Sequence, residues 1–165
     1  MFDEIFDQNG GIRQHYMPYL DWLKNCPTGY LDRKMAEADL LFRRIGITFA
    51  VYGEEEGAER LIPSDPVPRM IPAAEWEYLQ KGLEQRVLAL NLFLEDVYHE
   101  GRILKEGIIP AEKIYKNAQF QACMLNIDLP HKVYSQISGV DLIRHSDGNY
   151  YVLEDNLRIP SGVSY

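Results

Sequence analysis

The sequence predicts an α+β fold, with helices packed on a mainly antiparallel sheet, and three observations lead there. Residues 73–99 carry apolar side chains at helical spacing, and residues 31–45 do so over a shorter span. The stretch "DLIRHSDGNYYVLEDN" at 141–156 sets two β-prone runs around an Asp-Gly pair. With 165 residues, 46% of them apolar, the chain is long enough for a real core, and one compact unit is the expectation. Within it we distinguish an N-terminal helical and hairpin region, 1–72, from a region 73–165 that holds the long helix and the terminal hairpin.

Taken in order, residues 1–30 hold "QHYMPYLDWL", rich in aromatics and interrupted by Pro18 and Pro27, which reads as a short helix or docking arm. Residues 31–45 place Leu31, Met35, Ala38, Leu41 and Ile45 on one helical stripe, and Gly46 stands where a glycine stops a helix. "ITFAVYG" and "RLIP" flank "EEEGAE" as strands flank a turn, so 47–63 reads as a hairpin with Glu54–Glu56 in a solvated loop. "PSDPVPRMIP" follows, with four prolines in ten residues. It cannot donate a regular ladder and reads as an extended seam.

From Ala73 to His99, Trp76, Leu79, Leu83, Val87, Leu90, Leu94 and Val97 alternate steps of three and four, the stripe of a core helix, and Gly101 ends it. A second helix is predicted after Pro110, in "PAEKIYKNAQF", with the proline at its first position. Strand composition is predicted from "HKVYSQISGVDLIRH" onward.

Composition excludes several function classes. Twenty-five acidic against 17 basic residues give a net charge of -8, which repels a phosphate backbone, so nucleic acid is not an expected partner. A nucleotide stays open, because it needs only a local cation or a nest of backbone amides. No apolar run approaches the ~20 residues of a membrane helix, and the N-terminus lacks the basic and apolar regions of a signal peptide. Cys26 and Cys123 have neither CxxC spacing nor a His partner nearby and read as inert filler. These readings point to the cytoplasm.

The chemistry concentrates in the terminal hairpin. A two-residue type I′ turn at Asp147-Gly148 makes Ser146 face Asn149, Ile143 face Val152 and Asp141 face Glu154. Directly opposed carboxylates repel unless a proton or cation intervenes. Strand alternation puts Asn156 on the face of Glu154 and turns Asp155 the other way. Two carboxylates and an amide are hard oxygen donors of the kind that suit Mg²⁺ with a nucleotide. The alternative is that Asp141 and Glu154 are solvated ends of an edge hairpin, and a one-residue slip would undo the pairing. Beyond them, Arg158 offers a fork for phosphate or carboxylate, and the amides of Ser161 and Gly162 could approach an anion. Each of these three also reads as an ordinary exposed turn residue.

The segment "GVDLIRHSDGNYYVLEDNLRIPSGVSY", with "GITFAVYGEEEGAERLIPSDPVPRMIPAAEW" and "GLEQRVLALNLFLEDVY" upstream, resembles the circularly permuted ATP-grasp type 2 family, often labelled glutathionylspermidine synthase-like. The resemblance runs from "FDEIFDQNGGIRQHY" to the last residue. It implies part of a circularly permuted ATP-grasp fold and an ATP-dependent ligase that joins a carboxylate to an amine through an acyl phosphate, with ATP and Mg²⁺. It implies Asp141, Glu154 and Asn156 as metal ligands and Arg158 as a catalytic contact to the phosphate or acyl phosphate. Ser161 and Gly162 would be amides of the nucleotide and substrate loop.

Two positions depart from the pattern. Gly139 stands where many such ligases carry Arg, and Ile159 stands where Thr is frequent. The nucleotide-gripping lysines and lid of the family lie downstream of its metal motif, and no GxxxxGK loop occurs in this sequence, so the expectation is an N-terminal part that is inactive alone and partnered by the C-terminal part of the same chain. A non-catalytic interaction module that keeps the fold is the alternative, told apart by whether nucleotide-gripping lysines follow. A hydrolase using Asp141 and Glu154 as an acid and base is a third reading, distinguished by turnover without ATP.

Overall fold

The computed structural model describes residues 2–50, 59–61, 65–160 and 163, and these fall into two compact units, one up to Pro72 and one from Ala73.

The first unit contains helices α1 (Met17–Lys24) and α2 (Tyr30–Ile45) and the antiparallel strands β1 (Thr48–Ala50) and β2 (Glu59–Leu61), with Thr48 opposite Leu61. Helix α2 stops as its sequence predicts. Gly46 takes a φ of 79°, and the amides of Gly46 and Ile47 both bond the Phe42 carbonyl at 2.9 Å. The aromatic arm is anchored by Tyr16, which is 1% exposed. Its hydroxyl donates to Pro68 O at 3.3 Å and accepts from the Met70 amide at 3.0 Å, so it satisfies a backbone whose prolines cannot pair in a ladder. The loop of the β1–β2 hairpin, with Glu54–Glu56, lies outside the described residues.

The second unit is organised by helix α3 (Ala73–Tyr98), followed by α4 (Arg102–Lys105), α5 (Ala111–Tyr115) and the antiparallel hairpin of β3 (Gly139–Arg144) and β4 (Tyr150–Asn156). The stripe of α3 is the one its spacing predicts. Leu79 and Val97 are buried and Leu83, Val87, Leu90 and Leu94 half-buried, while Trp76 at the start is 48% exposed. At the C-terminal end, the Asp96 carboxylate takes the amides of Arg102 and Ile103 at 3.0 and 2.9 Å, capping α4 where Gly101 (φ 61°) has turned the chain. Tyr98 stacks between Phe120 and Tyr134, ring centroids 5.2 and 5.8 Å away, and gathers the irregular segment 116–134 onto the helix end.

Three local expectations are corrected. Helix α5 is shorter than predicted, and Pro110 occupies its N-cap rather than its first turn. Regular strand begins only at Gly139. Residues 130–132 form a single 3-10 turn, and 133–138 are irregular because Asn91 claims the amides of Tyr134 and Ser135. The β3–β4 turn has three residues rather than two. The His145 amide bonds Asn149 O and the Gly148 amide bonds His145 O, both at 2.9 Å, with Gly148 at φ 85° supplying the left-handed position. This slips the register by one, so that Arg144 faces Tyr150, Ile143 faces Tyr151 and Leu142 faces Val152.

Candidate functional site

A bulge between Asp141 and Leu142 cancels that slip. Leu153 is the extra residue, and beyond it Asp141 faces Glu154, Val140 faces Asp155 and Gly139 faces Asn156. The predicted pairing of the two carboxylates therefore holds, reached by a different route. The longer turn shifts the register one way and the bulge restores it.

The bulge also decides which side chains share a face. Leu142, Arg144, Tyr150 and Val152 are half-buried, and the grooves that Leu142 and Val152 line are formed with α3. Unbroken alternation from Tyr150 and Val152 would send Glu154 to that same inner face. With Leu153 inserted, Asp155 is inner, and Glu154 and Asn156 are outer with Asp141. Asp141 and Glu154 are exposed, and the Asn156 amide donates to Glu154 Oε1 at 3.0 Å. This N–H meets the carboxylate as a cation would, and a half-turn of the amide presents its oxygen instead.

The donor set fits a hard divalent cation. Among the described residues no three His, Cys, Asp or Glu side chains gather as a metal site, so a cation held here would need the Asn156 amide oxygen beside the two carboxylates. Two carboxylates and one amide leave room for the water and phosphate oxygens that Mg²⁺ prefers. The large groove beside α3, lined by Tyr78, Leu83, Leu142 and Val152 among others, opens on the inner side of the hairpin and does not include these three residues.

The inner face holds what the sequence did not reveal. Arg86 of α3 grips Asp155, with Nε 2.8 Å from Oδ1 and Nη2 2.6 Å from Oδ2. The guanidinium's hydrogen bonds hold the Asp155 carboxyl below the usual carboxylate range, against the opposing effect of burial. Arg144 makes a second fork to Glu75 at 2.9 and 2.7 Å, and also donates to Tyr150 Oη at 2.9 Å. Asn91, 8% exposed, accepts the amides of Tyr134 and Ser135 at 2.7 and 2.9 Å and donates to Val87 O at 3.0 Å. Ser135 Oγ in turn donates to Leu157 O at 2.8 Å, immediately after the Glu-x-Asn segment. Arg86 was hidden because an arginine amid a helix normally reads as solvated; an Asn on an otherwise apolar stripe was the one available signal for Asn91.

Of the remaining candidates, Arg158 is exposed and makes no ion pair among the described residues, while Ser161 and Gly162 lie outside them. Gly139 acquires a physical reason. A Cβ there would lie 2.8 Å from Pro160 Cβ, so the loop that carries Arg158 folds back over a position with no room for a side chain such as arginine.

Among the described residues no helix is long and apolar enough to cross a membrane. Comparison with known proteins gives the family. Residues 68–165 match the model of the circularly permuted ATP-grasp type 2 family. An uncharacterized protein of Synechocystis is 40% identical over 99% of this chain, which spans 34% of that protein. An uncharacterized protein of Mycobacterium leprae is 41% identical over 99% of the chain and 28% of its own length. A Frankia casuarinae protein provisionally named glutamate–cysteine ligase 2-2 is 37% identical over 99% of the chain and 19% of its own length. The chain therefore spans about a third or less of the curated relatives named here. By the match that covers its long helix and its terminal hairpin, the chain belongs to the circularly permuted ATP-grasp type 2 family.

Proposed function

We propose that the whole protein is an ATP-dependent carboxylate–amine ligase, and that this chain supplies its metal-binding part while nucleotide-gripping residues come from the rest of the protein. The family and the ligase name of the Frankia relative support the reaction class. The single observation that carries the site is the outer face of the hairpin, where Asp141 stands opposite Glu154 and the Asn156 amide lies 3.0 Å from the Glu154 carboxylate. Large apolar side chains share that face, Ile143 at 44%, Tyr151 at 49% and Leu153 at 66% exposed, which suits a surface completed by further protein.

In this reading Asp141, Glu154 and Asn156 hold Mg²⁺, which supplies neutralisation of phosphate charge when bound. A carboxylate oxygen of the substrate attacks the γ-phosphorus of ATP and ADP leaves. The amine nitrogen then attacks the acyl carbon, the bond from that carbon to the phosphate oxygen breaks, and phosphate departs with the transferred oxygen and takes up the proton that the amine loses as the amide forms. Arg158 binds the phosphoryl oxygens of the acyl phosphate, and Ser161 and Gly162 are the proposed cofactor-binding positions.

The test uses the whole protein with ATP, Mg²⁺, an ¹⁸O-carboxylate-labelled acid and an amine, beginning with glutamate and cysteine as the Frankia name suggests. The expected result is one ¹⁸O in the released phosphate. ATP-independent turnover, or phosphate without label whenever product forms, would overturn the acyl-phosphate reading.

A further inference from the structure

The hairpin pattern allows a second register of β3–β4 beside the one observed. Without the bulge, Asp141 faces Leu153, and Glu154 and Asn156 turn inward towards α3, away from Asp141 on the outer face. With it, Asp155 is inner and its carboxylate meets Arg86 through two parallel hydrogen bonds of 2.8 and 2.6 Å. Arg86 belongs to α3, 69 residues away in sequence, so it fixes β4 from outside the hairpin. The Asp155 side chain is 14% exposed, so leaving it there unpaired is costly. The fork suits the inner position of a short side chain better than the longer, more flexible Glu154 that a slip would bring.

We propose that Arg86 is a positioning residue: through Asp155 it holds the bulge at Leu153 and thereby selects the register in which Asp141, Glu154 and Asn156 share one face. The inference rests on the metal reading of those three residues. It also makes a specific claim about Leu153. Pairing is Leu142 to Val152 on one side of the bulge and Asp141 to Glu154 on the other, so deleting Leu153 leaves both pairs in place and removes the second register.

The experiment is a titration of the whole protein with Mn²⁺, read by electron paramagnetic resonance, for the parent, Arg86→Met, the Leu153 deletion, the two combined, and Glu154→Gln. Arg86→Met is expected to weaken Mn²⁺ binding about 10- to 100-fold, the usual effect of removing a support behind metal ligands. Combined with the deletion it should bind within about threefold of the deletion alone, a rescue that a merely destabilising substitution does not show. Arg86→Lys, which keeps the charge but not the fork, carries the test if Arg86→Met does not fold, with a loss reversed in the same way by the deletion. Unchanged affinity in the Arg86 variants, or a loss that the deletion does not rescue, overturns the positioning role while Glu154→Gln still abolishes binding. Full Mn²⁺ binding by Glu154→Gln overturns the metal reading itself, and the positioning role with it.

Discussion

Asp155 and Glu154 are neighbours in sequence and face opposite ways, and only Asp155 is held by an arginine: Arg86 Nη2 lies 2.6 Å from Asp155 Oδ2. The arrangement leaves the Glu154 carboxylate to the outer face and Asp141. Much of the behaviour expected of this segment follows from that division of labour.

The first expectation concerns acid stability. Hydrogen bonds from Arg86 lower the Asp155 pKa in the folded state, so the contribution is present above the unfolded value of ~3.9 and is lost as pH falls through the folded value. Arg86 is 43% exposed, so solvent screens the pair and its contribution at neutral pH is modest. Urea unfolding of Asp155→Asn should show that deficit at pH 7 and a smaller one near pH 3. A deficit independent of pH would mean that the ion pair is not its source.

The opposed carboxylates predict an inverse pattern. Asp141→Asn or Glu154→Gln should raise thermal stability in chelator by up to about 1 kcal/mol, because like charges directly opposite each other are relieved. The same variants should lose the Mg²⁺-dependent stabilisation, about 2.7 kcal/mol for the parent at a hundredfold excess over Kd. Differential scanning calorimetry with and without Mg²⁺ reads both effects.

Gly139 allows the Arg158 loop its close return. Gly139→Ala places a methyl 2.8 Å from Pro160 Cβ and should cost about 1–3 kcal/mol, since a ring carbon cannot swing aside as a flexible chain end does. Denaturant titration measures it; a neutral substitution would mean that residues 158–160 move freely over Gly139.

Asn91 anchors the segment that reaches the end of β4. Asn91→Leu leaves the amides of Tyr134 and Ser135 without their acceptor and should cost about 2 kcal/mol or more. Hydrogen exchange should quicken at both amides, whereas protection as in the parent would place their partner elsewhere.

The legible parts of the structure were those set by local patterning. The 3.6-residue period of α3 and the glycine after α2 read directly, because each is fixed by residues adjacent in the chain. Asp-Gly marked the hairpin but not the turn length: Gly148 alone is left-handed, and Asp147 precedes it with its carboxylate on the Asn149 amide at 2.9 Å. Asp141 opposite Glu154 was reached through a register that fails at Ile143, since nothing local announces that Leu153 will bulge. The pairs Arg86–Asp155 and Arg144–Glu75 each span 69 residues and depend on tertiary placement that periodicity does not encode. The candidate ligands could be named from sequence; what aims them could not.

The most direct test of the central claim is calorimetric titration of ATP into the whole protein, with and without Mg²⁺, beside Glu154→Ala. Mg²⁺-dependent ATP binding is expected in the parent, lost or at least tenfold weaker in a variant that remains folded. Absence of ATP binding in the parent, or equal Mg²⁺-dependent binding in Glu154→Ala, would contradict that claim.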